Sequence, residues 1–145
     1  MSCDIINKDL IYILISEKEE GDDMFEQDYV MRMIRELVRT ILKLLFHIDD
    51  VDDSIIIDDV EAKELYCSIL GLIKQYRINE AENNLLEQLD VQNLDMLKVS
   101  LLFYDRLNQM SDKELEEAEF SREEVKDGIQ TVLKQYGYNG ITNAF

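Results

Sequence analysis

The sequence predicts an all-α protein in which about five or six antiparallel helices pack as a bundle or a short tetratricopeptide-like solenoid. Three observations predict this fold. The 145-residue chain has no proline and only 5 glycines, whereas strands and tight turns usually need both. Its apolar residues recur at helical spacing over several long segments. Two Ser-x-x-Glu boxes near the C-terminus mark helix starts.

The first predicted helix runs from Asp28 to about His47 and is apolar over most of its surface. Its cations are the exception, because they fall on one side of the helical wheel. We call this set the basic stripe: Arg32, Arg35, Arg39 and Lys43. The pattern predicts a helix that is largely enclosed by other helices, with the basic stripe facing solvent.

Three further helices follow, each with apolar residues at helical spacing: Asp58 or Asp59 to about Tyr76, Asn79 to about Leu89, and about Leu94 to Gln109. We expect Asn79 to cap the helix that it begins, because Glu82 follows three residues later in a variant of the capping-box spacing. Cys67 lies among apolar positions of the helix before it. We expect its thiol to be an inert part of the core.

The two Ser-x-x-Glu boxes predict the starts of the last two helices. Each box is bracketed by an apolar pair at the spacing of a hydrophobic staple: Ser111–Glu114 by Met110 and Leu115, and Ser121–Glu124 by Phe120 and Val125. The last helix is predicted to end near Tyr136, with Gly137 as its left-handed terminator. The tail after it, residues 138–145, is predicted to be irregular.

A weak internal repeat maps Leu65 onto Leu97 and suggests paired helices. The segment YRINEAENNLLEQL, Tyr76 to Leu89, resembles the second half of a tetratricopeptide repeat, in which a small residue such as Ala81 lets two helices approach closely. The likeness is partial, because Ile69 stands where the preceding helix would need a small residue. What it implies is antiparallel helix pairing rather than a superhelix of standard geometry.

Two longer phrases, MFEQDYVMRMIRELVRTILKLLF and INEAENNLLEQL, resemble a family of small, all-helical bacterial proteins of unassigned function. The likeness covers roughly Met24 to Gly137. It implies the helical fold and a bacterial, cytosolic setting. It transfers no catalytic, cofactor-binding or ligand-binding residue to this chain.

The predicted organisation is an N-terminal extension at residues 1–23, a single helical domain at residues 24–137, and the C-terminal tail. The apolar run LIYILI in the extension is far shorter than the roughly 20 residues of a membrane span. KEEGDD, directly before Met24, is what a translated ribosome-binding site would look like, because purines dominate the codons of these residues. Our hypothesis is that the natural chain begins at Met24. The alternative is an ordinary N-terminal helix or strand packed on the bundle.

The stretch DDVDDSIIIDDVE, Asp49 to Glu61, has two interpretations. The first is a calcium-binding EF-hand loop with these candidate metal ligands: Asp50, Asp52, Ser54, Asp58 and Glu61. However, Ile55 occupies the sixth position, where the loop needs a positive φ and normally has glycine. The second interpretation is a hydrated connector whose last acids cap the next helix. We expect the connector.

Charge and motif content argue against several classes of function. A net charge of −17 opposes binding to nucleic acid or to anionic membranes. One histidine and two cysteines without Cys-x-x-Cys spacing indicate no zinc site and no disulfide scaffold. Phosphate loops and nucleophile elbows are absent from the sequence, and no cofactor is expected. Acid pairs such as Glu61 and Glu64 are expected by chance among 32 acids.

The sequence therefore predicts a non-catalytic, cytoplasmic protein-interaction or scaffold module that binds another protein or a second copy of itself. The basic stripe is the candidate partner-binding surface. The alternative, which the surplus of acids favours, is that the basic stripe pairs with Asp and Glu residues of this same protein. The competing function is a calcium-responsive protein that uses the Asp50–Glu61 loop.

Overall fold

The computed structural model describes residues 22–49, 55–138 and 140, and this part of the chain is all-helical, as the sequence predicts. It contains six helices: α1 Asp22–Phe46, α2 Val60–Lys74, α3 Ile78–Gln88, α4 Leu94–Asn108, α5 Asp112–Glu117 and α6 Arg122–Gln135. The predicted extension lies almost wholly outside the described residues, and so does most of the predicted C-terminal tail. Whether the helices pair as in tetratricopeptide repeats stays a prediction.

Helix α4 lies at the centre of the bundle. It packs on α1, α2 and α6, while α3 packs mainly on α2, and α6 also contacts α1. Within α4 nearly every residue is buried, including Phe103 and Tyr104, whose rings meet edge to face with centroids 4.9 Å apart. A helix that is apolar on all sides must be surrounded by other elements, and the chain meets this requirement by wrapping α1, α2 and α6 around α4.

The first end of the bundle, which we call the connector end, is closed by contacts between three segments. Asp59, just before α2, donates its backbone N–H to Asp95 Oδ2 at 2.8 Å, near the start of α4. Lys98 Nζ donates to the Ile56 carbonyl at 2.9 Å and lies 5.0 Å from the centre of the Phe46 ring at the end of α1. These contacts fix the connector against α1 and α4.

Tyr136 joins the end of α6 to the connector end. Its hydroxyl donates to the Asp90 carbonyl at 2.7 Å and lies 2.9 Å from the Asn93 carbonyl, both in the loop between α3 and α4. At the opposite end, Asn108 Nδ2 donates to the Met31 carbonyl at 2.9 Å and so joins α4 to α1. The helices therefore run antiparallel between two distinct ends.

Three of the predicted helix starts are confirmed. Ser111 and Ser121 each form a complete capping box, in which the hydroxyl accepts from the backbone N–H of the glutamate three residues later and the glutamate carboxylate accepts from the serine N–H. Asp59 caps α2 by accepting from the Ala62 N–H at 2.9 Å. Local hydrogen bonding thus determines where these helices begin.

The predicted start of α3 was wrong. Asn79 lies inside the helix, whose N-cap residue is Arg77 with no side-chain capping bond. Ile78 is fully buried, so core packing sets the entry of the chain into α3. The Asn79 amide instead donates to the Glu119 carbonyl at 3.2 Å, across the opposite end of the bundle.

Two further expectations were wrong. Helix α1 begins at Asp22 rather than at Asp28, because the intervening residues include good helix formers such as Glu26 and Gln27. Cys67 is exposed rather than part of the core. It lies two residues from both Leu65 and Ile69 along α2, and that spacing places it on the opposite side of the helix from these buried residues.

Four helices end in a residue with left-handed backbone conformation: His47 after α1 with φ 57°, Tyr76 after α2 with φ 59°, Glu119 after α5 with φ 56°, and Gly137 after α6 with φ 88°. After Tyr76, Glu119 and Gly137 the next residue donates its N–H to a carbonyl in the last turn, the pattern of a Schellman motif. The sequence predicted only the glycine. The other three positions hold side chains that disfavour this conformation.

Glu119→Gly is therefore expected to stabilise the protein by up to about 1 kcal/mol, because glycine has no Cβ to clash in the left-handed conformation. A thermal melt checks this as a rise in Tm. Glu116→Gly, at an exposed position within α5, is the matched control and should lower Tm, since glycine disfavours helix interiors. A fall in Tm for both variants would contradict the expectation.

Candidate functional site

The basic stripe lies on α1, where the sequence placed it. Arg35, Arg39 and Lys43 are exposed, while Arg32 is half-buried. One terminal nitrogen of Arg32, Nη1, is buried and has no hydrogen-bond partner within the described part of the chain. A buried donor without an acceptor is costly and uncommon in folded proteins, so this guanidinium could still bind an acceptor.

The sequence did not predict that a buried acid lies close to the basic stripe. Asp105 in α4 is only 5% exposed, and Gln109 Nε2 donates to its Oδ2 at 2.7 Å. Burial raises the pKa of Asp105, and the hydrogen bond from Gln109 and the positive charges of Arg35, Arg106 and Arg39 oppose that rise. Two residues of the stripe therefore act electrostatically on an acid of the same protein.

This arrangement bears on the two interpretations of the basic stripe. The influence of Arg35 and Arg39 on Asp105 supports the interpretation that the stripe serves the protein's own acids. Lys43 and Arg32 have no such role in the pKa of Asp105. The one available sequence signal for Asp105 was its position inside LLFYDRL, an acid that directly follows a run of apolar residues.

Asp105→Asn is expected to raise Tm by a few degrees at pH 7. The pKa of Asp105 is higher in the folded protein than the ordinary 3.8, so its charged form opposes folding, and this cost develops as pH rises through the folded-state pKa. Asparagine can still accept from Gln109. Melts between pH 3 and pH 8 should show the gain shrinking to nothing below the ordinary pKa.

The matched control for this series is Asp127→Asn, which removes an exposed acid from α6. Its Tm should follow that of the wild type across the pH range. An equal rise in both variants at pH 7 would mean that the effect comes from net charge alone, and it would contradict the role given to Asp105.

A second acid, Glu82, is half-buried between α3, α4 and α6. The Tyr104 hydroxyl donates to Glu82 Oε2 at 2.8 Å. Burial raises the pKa of Glu82, the hydrogen bond from Tyr104 opposes the rise, and the negative charge of Glu124 adds to it. Burial and the adjacent Glu82 also raise the pKa of Tyr104, so its hydroxyl remains a donor. This pair joins α3 to α4.

The acidic connector is described only in part, because the candidate calcium ligands Asp50, Asp52 and Ser54 lie outside the described residues. Asp58 and Glu61 are both exposed, and Ile57 is buried as an anchor of the connector. Counted from Asp50, the carbonyl of the seventh position, which ligates calcium in an EF-hand, belongs to Ile56. That carbonyl accepts a hydrogen bond from Lys98 Nζ.

The carbonyl that calcium would need as a ligand therefore already accepts a hydrogen bond from a lysine of the same protein. This contact supports the connector interpretation. We expect no change in Tm when millimolar calcium replaces EDTA or magnesium. A true site at 100 times its dissociation constant would stabilise the fold by about 2.7 kcal/mol, a rise of roughly 5–10 °C. A rise of that size with calcium alone would restore the EF-hand interpretation, and Glu61→Gln should then abolish it.

The described surface includes a shallow groove and an exposed pair of acids. The shallow groove lies between α1 and α6, with Met33, Leu37 and Ile129 among its lining residues and no carboxylate among them. Glu61 and Glu64, the acid pair noted in the sequence, are both exposed. Among the described residues no His, Cys, Asp and Glu side chains cluster as metal ligands do. No helix in the described ranges has the length and apolarity to cross a membrane.

Comparison with known proteins gives one match. Residues 24–137 match a family described as a family of unknown function, DUF6483. These residues include every helix from early in α1 to the end of α6. Searches of the curated proteins and of the solved structures found no significant match.

Proposed function

The chain belongs to this family of unknown function, and we propose that it is a non-catalytic protein-interaction module whose basic stripe binds an acidic segment of a protein partner. The observation that supports this is the combination, on one helix, of three exposed cations with a buried donor of Arg32 that has no acceptor within the described residues. A carboxylate from a partner would supply the missing acceptor and neutralise the row of charge.

The dimensions of the basic stripe fit a short segment. Arg32 and Lys43 are separated by about 16 Å along the axis of α1, from the rise of 1.5 Å per residue. Charges farther away than about 10 Å are largely screened at physiological ionic strength. A local row of cations can therefore attract an acidic segment even though the whole chain has a net charge of −17.

The test must separate partner binding from the effect of Arg35 and Arg39 on Asp105. We would therefore build the variants on Asp105→Asn, in which the buried charge is removed. The stripe variant adds Arg35→Gln and Arg39→Gln. The matched control adds Lys63→Gln and Lys74→Gln, which remove two exposed cations from α2 and give the same net charge.

The probe is a fluorescently labelled synthetic peptide with glutamate on one face of a helix, and the readout is fluorescence anisotropy. The stripe variant should bind it at least about tenfold more weakly than the control, because local charge pairs dominate such contacts, while the Tm values stay alike. Equal binding by both variants would overturn the proposal. So would a stripe variant whose Tm falls, since the arginines would then be structural even without Asp105.

A further inference from the structure

The connector end of the bundle exposes a group of large apolar side chains. We call it the apolar end surface: Leu44, Ile56, Val60, Val91 and Leu94, which are 47% to 71% exposed. In the rest of the described chain the other exposed large apolar residues are Tyr29 and Tyr76, each 43% exposed. Single exposed apolar residues are ordinary, but a group confined to one end of a fold marks an interaction surface.

The segments that bear these side chains are held rigidly together. Ile56 is fixed through its carbonyl by Lys98. A 2.8 Å hydrogen bond joins Asp59 to Asp95. Val60 directly follows Asp59 in the chain, and Leu94 directly precedes Asp95. Val91 lies in the loop that the Tyr136 hydroxyl binds at both Asp90 and Asn93, and Leu44 is in the last turn of α1. The surface is thus preformed, which lowers the entropy cost of binding.

Exposed acids lie close in the chain to the residues of the apolar end surface. We call them the acidic rim: Asp49, Asp58, Glu61 and Asp90. Asp58 and Glu61 lie on either side of Val60 in the chain. Of the nearby cations, Lys98 is buried against Phe46 and donates to the Ile56 carbonyl, Lys43 belongs to the basic stripe, and Lys63 is exposed one turn beyond Val60. The four acids of the rim outnumber this one exposed lysine of α2. The surface therefore combines an apolar centre with an acidic edge.

We propose that the apolar end surface docks a cationic amphipathic segment of a protein partner. Its apolar side chains bury those of the segment, and the acidic rim pairs with lysines or arginines along the segment's edges. A second copy of this chain fits poorly, because its own acidic rim would face the first one and both chains have a net charge of −17. This inference goes beyond the proposed function, since it uses other residues and a ligand of opposite charge.

The test uses a synthetic helical peptide with leucine on one face and lysine on the other, and a matched peptide in which glutamate replaces lysine. Binding to the full chain is measured by fluorescence anisotropy at physiological ionic strength. The end variant combines Ile56→Gln, Val60→Gln and Leu94→Gln. It should bind the lysine peptide at least about tenfold more weakly than the wild type does. The glutamate peptide should not bind at this surface.

Two control variants and a second variant of the same surface make the result specific. Tyr29→Gln with Tyr76→Gln removes exposed apolar residues away from the connector end and should leave binding unchanged. Leu44→Gln with Val91→Gln tests the same surface through its other two residues and should weaken binding too. Arg35→Gln with Arg39→Gln should bind the lysine peptide as the wild type does, which keeps this result separate from the proposed function.

Two outcomes would overturn the inference. The first is lysine-peptide binding that is equal in the wild type and both end-surface variants, which would reflect the net charge of the chain only. The second is a wild-type dimer, detected by light scattering, that dissociates in the end variant, because a second copy would then be the occupant of the surface.

Discussion

Replacing Arg122 with alanine is expected to lower the free energy of unfolding by about 3–5 kcal/mol, since removal of a buried charged hydrogen-bonding group leaves its partners unpaired. Arg122 is only 2% exposed. Its Nη1 donates to the Asn108 carbonyl at 2.7 Å and its Nη2 to the Met110 carbonyl at 2.7 Å. Its Nη2 also lies 2.8 Å from Asp112 Oδ1. One side chain at the start of α6 thus provides hydrogen-bond donors to two carbonyls at and just after the end of α4 and to a carboxylate at the start of α5.

The measurement is chemical denaturation followed by circular dichroism. Arg122→Lys should recover only part of the loss, because an ammonium cannot reproduce the planar fork of the guanidinium. Arg77→Ala is the matched control. Its guanidinium pairs with Glu80 at a largely exposed site, so its removal should cost less than about 1 kcal/mol. A similar small loss for both alanine variants would show that the contacts of Arg122 are energetically ordinary.

Gly128→Ala is expected to destabilise the protein by roughly 1–3 kcal/mol, the range typical of overpacking a core. Alanine normally favours a helix interior over glycine by about 1 kcal/mol, so the expected sign is the reverse of the usual one. A Cβ at residue 128 would lie 2.5 Å from three atoms of the Tyr104 ring and hydroxyl. That ring is fully buried and held by Glu82, so it cannot move aside freely.

A double-mutant cycle measured by thermal melts tests this explanation. Tyr104→Leu removes the ring, so Gly128→Ala should cost little or nothing in that background. Tyr104→Phe removes only the hydroxyl and should not relieve the clash, because two of the three contacts are with ring carbons. If Gly128→Ala raises Tm in the wild-type background, the close packing of α4 against α6 is not as tight as described.

The predictable parts of the fold are those that depend on neighbours in the chain. The capping boxes at Ser111 and Ser121 and the terminator Gly137 were all recognisable, because each involves hydrogen bonds within a few residues. Helix α4 was recognisable from its apolar spacing, but its burial at the centre of the bundle was not. Asn79 was mistaken for a cap because the helix begins one residue earlier, at Ile78. Burial of the Ile78 side chain in the core sets this start, and a local capping bond does not.

In the candidate sites, too, the features set by neighbours in the chain were predictable and those set by long-range contacts were not. The helical period alone placed the basic stripe on the outer side of α1, but it could not reveal that Arg35 and Arg39 act on Asp105, far along the chain. Likewise, Arg122 reads as an ordinary residue in the first turn of an amphipathic helix. Its importance comes from carbonyls of Asn108 and Met110 that only the fold brings to it. Long-range pairing of charged groups leaves no periodic trace in a sequence.

The central position of α4 has a consequence for how the domain opens. Because α1, α2 and α6 all bury their apolar sides on this one helix, none of them can detach without exposing part of α4 to water. Partial opening is therefore confined to peripheral parts such as α5 and the helix ends. The backbone amides of α4 should exchange with solvent only when the whole domain unfolds, so α4 makes the bundle a single cooperative unit.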